Sequence, residues 1–126
     1  MVFTRDTGLA LQAAAELANS ALAPDTLTHI EHVSDFLDRY GYTGRRDADL
    51  AELDAVRAIR GRLRELLLAR GEQGVLLVNA VLAEHRAVPQ LVRHDGLDWH
   101  FHPSPADAAL ATRILAETAM ALTDVI

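Results

Sequence analysis

Cysteine is absent from this chain of 126 residues, and so is lysine. Without a thiol there is no disulfide, no thiolate zinc site and no cysteine nucleophile. All twelve basic residues are arginines, against eighteen acidic ones, for a net charge of −6. Gripping a phosphate backbone needs clustered positive charge, so this balance argues against nucleic-acid binding by the segment itself. Aromatic residues are scarce at 5%. No apolar run approaches the roughly twenty residues of a membrane span, and no signal peptide is visible. The motifs G-x-S-x-G, G-x-G-x-x-G, H-E-x-x-H and a Gly-rich phosphate loop are all missing. These absences point to a soluble cytoplasmic domain with no enzyme signature and no membrane partner.

What is present is apolar helix-forming sequence, with half the residues hydrophobic. That length fits one domain. The periodicity predicts a first helix over about Thr7–Leu22, with an Ala-rich stripe, ended by Pro24. A second covers about Thr28–Tyr40, with Gly41 as its cap. A third covers about Ala48–Arg70, with Asp47 as N-cap. A fourth runs over about Glu72–Arg86; its VLLVNAVLA stretch is apolar nearly all round and reads as the central buried helix. From Pro89 to His102 the pattern alternates. Asp95-Gly96 reads as a two-residue hairpin turn, with Val92, Leu97, Trp99 and Phe101 on one face and Arg93, Asp98, His100 and His102 on the other. A fifth helix follows, with Ser104 as N-cap, Pro105 at N1 and Asp107 at N3. The expected fold is mainly α (α+β), about five helices with one β-hairpin between the fourth and fifth. The last helix carries no stop signal before Ile126, which reads as a domain cut from a longer protein.

Several residues stand out against this pattern. Arg60 falls inside the leucine stripe of the third helix, between Leu53, Val56, Leu63 and Leu67, with Arg57 at the stripe's edge. An Arg there needs a carboxylate, carbonyls or an anionic ligand. Asn79 interrupts the apolar fourth helix, and His85 shares its Val78–Val81–Leu82 side. Both need partners, from backbone or from a ligand. Trp99 either anchors the core or stacks on a ligand. His29 with His32, and His100 with His102, could each offer two metal ligands, but neither pair has a third at short range. Glu31, Asp35 and Asp38 read as a solvated face. Ser20 and Ser34 have no marked base beside them.

The order of these pieces resembles the ABATE domain of stress-induced transcription regulators. Asp6-Thr7 comes first, followed by a helix ending in Asn19-Ser20. Asp25-Thr26-Leu27 opens the second helix, and AVRAIRGRLRELLLA (Ala55–Ala69) and VNAVLA (Val78–Ala83) follow. A Gly96-x-x-Trp99 step then leads to an Ala-rich last helix. Arg57 and Arg60 match the family's R-x-x-R helix, and Asn79 an Asn on the next helix. Asn19-Ser20 matches an Asn-Thr step with Ser in place of Thr. The resemblance implies a CGNR zinc finger following the domain, which would hold the only zinc and make the DNA contacts. For the helical part it implies ligand sensing or assembly. The leading expectation is therefore a regulatory domain. It would bind an unidentified small molecule through Arg60, Asn79, His85 and Trp99, with Asn19 and Arg57 as further contacts. The alternatives are a ligand-free homodimer built on the Ala-rich faces of the first and fifth helices, and a histidine metal-dependent enzyme.

Overall fold

The computed structural model describes residues 5–87, 90–92 and 100–126. Among them are six helices: α1 (Arg5–Ser20), α2 (Ile30–Tyr40), α3 (Leu50–Ala58), α4 (Arg60–Leu68), α5 (Gly71–Glu84) and α6 (Leu110–Leu122). Two short strands, β1 (Gln90–Val92) and β2 (His100–His102), pair antiparallel between α5 and α6. The fold is helical, and the expected five helices with a hairpin closed by a two-residue turn are not seen. The register sets Val92 opposite His100 and Leu91 opposite Phe101. A two-residue Asp95-Gly96 turn would set Val92 opposite Trp99, one residue away, and a one-residue slip exchanges the faces. The grouping of Val92 with Phe101 on one face falls with it. Asp95, Gly96, Leu97 and Trp99 lie outside the described residues.

The predicted third helix divides at Ile59 into α3 and α4. The Nε of Arg60 donates to the Arg57 carbonyl at 3.3 Å, and Gly61 follows immediately. A side chain inserted into the hydrogen-bond ladder beside a glycine is a common cause of a helix break. The start of α3 also moves. Asp49, not Asp47, is the N-cap, accepting from the Glu52 N–H at 2.8 Å. Glu52 reaches back to the N–H groups of Asp47 (2.8 Å) and Ala48 (3.2 Å), so Asp47 belongs to the loop.

The centre of the fold is α6, not the helix expected there. Nine residues of α6 are buried, and α1, α3, α4 and α5 all pack on it. Leu76 of α5 is 64% exposed and Val75 is also exposed, while Gly74, Val78 and Val81 of the same helix are buried. Hence α5 lies at the periphery: an apolar composition does not by itself place a helix inside. The Ala-rich faces of α1 (Ala13, Ala14, Ala18) and α6 (Ala116, Ala119) are buried within the chain, and the two helices pack against each other. The Thr7 hydroxyl donates to Asp124 at 2.6 Å and ties the start of α1 to the segment after α6.

Ser104, Pro105 and Asp107 do not cap α6. Pro105 to Ala108 form a turn, with the Ala108 N–H on the Pro105 carbonyl at 3.1 Å. The Arg45 N–H takes the Ala106 carbonyl at 2.9 Å and draws this segment to the loop after α2. Ala109 is the N-cap residue instead.

Candidate functional site

Arg60 is 7% exposed, and its charge is satisfied inside the chain. Nη1 and Nη2 donate to the two Asp25 carboxylate oxygens at 3.0 and 2.8 Å. Nη1 also reaches the Ser20 hydroxyl at 3.1 Å. Paired fork-to-carboxylate bonds of this kind are strong and directional. The Asp25 carboxyl is held well below the ordinary carboxylate range, chiefly by the Arg60 hydrogen bonds and next by the Leu27 N–H. Arg57 adds a second cation, with Nη2 3.3 Å from Asp25 and Nη1 on the Leu27 carbonyl. The R-x-x-R pair of the sequence therefore holds the loop between α1 and α2.

The other expected contacts do not gather around Arg60. Asn79 is exposed, so it is not the buried amide expected. It lines a shallow hollow of about 150 Å³ with Val75, Val78, Thr123 and Ile126. Asn19 is exposed as well. His85 is half-buried at the end of α5, and its buried Nε2 has no hydrogen-bond partner among the described residues. Trp99 lies outside the described residues. His29 and His32 meet edge to face at the start of α2, where His32 Nδ1 accepts from the N–H groups of Thr28 (3.1 Å) and His29 (3.2 Å). His102 bonds Glu117 at 2.8 Å. Among the described residues no three metal-ligating side chains come together, and no helix there is long and apolar enough to cross a membrane.

The concave surface lies on the other side of Ser20. A cleft of about 290 Å³ opens between α1 and α2. Its apolar lining is Leu17, Leu27 and Phe36, all buried. His32, Asp35 and Arg39 lie along one side of α2, and Glu16 and Ser20 one turn apart on α1. Arg39 forms an ion pair with Glu16 that bridges the two helices, and the Tyr40 hydroxyl approaches the same carboxylate at 3.4 Å. Burial and the neighbouring Glu16 charge push the Tyr40 phenol above its ordinary range. Behind the cleft, Ser20 donates to the Leu17 carbonyl (2.6 Å) and accepts from Arg60. The Asp25–Arg60 pair thus lies behind the cleft, reaching its lining through Ser20, and is not a contact within it.

A second arginine escaped the sequence reading. Arg113 of α6 is buried and donates to three carbonyls: Ala108 at 3.1 Å, Thr43 at 2.7 Å and Arg45. Desolvation pulls its pKa down from the ordinary arginine value. Gly44 sits beside it with φ +86°, where a Cβ would fall 2.6 Å from the Ala106 carbonyl oxygen. Arg113 lies on the apolar stripe of its helix just as Arg60 does, so the same signal would have found it. Nearby, burial and the Glu117 charge push the Tyr42 phenol up.

Among the described residues these features define a small helical domain, braced by the buried Arg60 and Arg113 and carrying a cleft between its first two helices. The sequence profile of the ABATE family, described as "Putative stress-induced transcription regulator", matches residues 11–126, and the chain belongs to that family. No curated protein matches it.

Proposed function

We propose that this domain is the ligand-responsive part of a transcription regulator, with the α1–α2 cleft as its pocket. The observation that carries this reading is the cleft itself, an apolar floor rimmed by charged side chains and backed by the Asp25–Arg60 pair. Its volume is near the lower end of the range for small-molecule sites, about 300 to 1,000 Å³. The family is described as regulators and not as enzymes, in line with a binding role. A net charge of −6 argues against DNA contact by this segment, and in this reading a zinc finger elsewhere in the regulator would make it. The Ala-rich faces on which a homodimer was expected are buried inside the chain, so a homodimer would have to use another surface.

The test is an amide NMR screen of the domain against a broad small-molecule library. Binders are expected to shift Leu17, Ser20, Leu27 and Phe36, and Thr26→Trp, placed at the cleft's exposed edge, is expected to abolish those shifts. The reading fails if binders map elsewhere or are indifferent to Thr26→Trp.

A further inference from the structure

The charges around the cleft are not balanced. Arg39 and Glu16 neutralise each other across it. Asp25 is committed to Arg60 and Arg57 behind it. His32 Nδ1 accepts two backbone N–H bonds, which leaves Nε2 as the ring's donor toward a ligand. The Ser20 hydroxyl donates to a carbonyl and accepts from Arg60. Asp35 is different: it is exposed, lines the cleft beside Phe36, and has no hydrogen-bond or ion-pair partner among the described residues. It could have paired with Arg39 one turn further along α2, an arrangement common on helices, but Arg39 reaches across to Glu16 instead.

Resting on the cleft reading above, we infer that the pocket takes a small organic monocation: an ammonium group on the Asp35 carboxylate, with an apolar body against Leu17, Leu27 and Phe36. One uncompensated carboxylate above three buried apolar side chains favours a cation over an anion of the same shape, because like charges at the rim repel. A carboxylate ligand would have to separate Arg39 from Glu16 and would then face two unpaired acids. The cleft volume suits a ligand on the order of ten non-hydrogen atoms.

Three probes of nearly one shape separate the possibilities: phenethylamine, phenethyl alcohol and phenylacetate, each titrated into the isotope-labelled domain. The amine is expected to bind most tightly, to shift the amides of Leu17, Asp35 and Phe36, and to weaken with added salt. Asp35→Asn is expected to weaken the amine at least about tenfold and to leave the alcohol unchanged. Because Asp35 is exposed and unpartnered, the variant's spectrum should otherwise match the wild type. Tighter binding of phenylacetate, or amine binding indifferent to Asp35→Asn, overturns the inference while leaving the cleft as a site. Failure of all three probes to move cleft amides also overturns it, and the library screen with Thr26→Trp then decides the cleft separately.

Discussion

Arg60 and Asp25 form a two-pronged pair that fastens α4 to the loop between α1 and α2, with the Ser20 hydroxyl as a third partner. The guanidinium is buried, whereas the Asp25 side chain keeps 26% of its surface exposed. Desolvation therefore falls mainly on the arginine, and removing Asp25 would strand a buried charge. Removing Arg60 leaves a carboxylate that water can reach.

Arg60→Met is therefore the cleaner variant. It is expected to cost about 1.5–3 kcal/mol in urea unfolding at neutral pH, the range for hydrogen bonds to charged groups. The pH dependence follows from the depressed Asp25 pKa. A carboxyl depressed in the folded state contributes stability above its unfolded value, about 3.9. That contribution is lost as pH falls through the folded value. The gap between wild type and Arg60→Met should accordingly be full at neutral pH and narrow in acid. A gap that widened in acid would contradict the pairing.

Gly44→Ala is expected to destabilise by about 1–3 kcal/mol, since the left-handed φ and the close Ala106 carbonyl act together. Gly8→Ala is the control. Gly8 lies in α1, and an added Cβ there meets nothing within 4 Å. This change should stabilise by about 0.5–1 kcal/mol through helix propensity. Equal effects from the two changes in thermal unfolding would refute the lock around Arg113.

The peripheral position of α5 makes a paired prediction. Leu76→Gln should leave stability within about 0.5 kcal/mol of wild type, as at most surface positions. Val81→Ala, at a fully buried position of the same helix, should cost about 1–3 kcal/mol. Calorimetry of the two variants checks this; a large loss from Leu76→Gln would return α5 to the interior.

Helices were legible wherever apolar periodicity was strong, as in α1 and α2, because burial of one face imposes that period. Arg60 was legible for the same reason, since a charge among leucines demands a partner. Its partner was not, because Asp25 lies 35 residues earlier and no local pattern links the two. The break at Ile59 escaped because it depends on where the Arg60 side chain hydrogen-bonds. The rank of α5 and α6 was reversed because α6 is central through the four helices packed around it, a tertiary arrangement that hydropathy along one helix does not encode. Asp35 read as part of a solvated face with Glu31 and Asp38. Only the packing of α1 beside α2 makes it one wall of a cleft.

The packing of α1 on α6, two helices with buried alanines, has a mechanical consequence. Small residues leave almost no layer of flexible side chain between two helices, so little between them can absorb a displacement. The cleft draws on the last turns of α1, while Thr7 at its other end holds Asp124. At 1.5 Å per residue the helix spans roughly 20 Å between these points. The domain thus contains a short rigid strut, with a small-molecule-sized opening at one end and the tail of α6 pinned to the other.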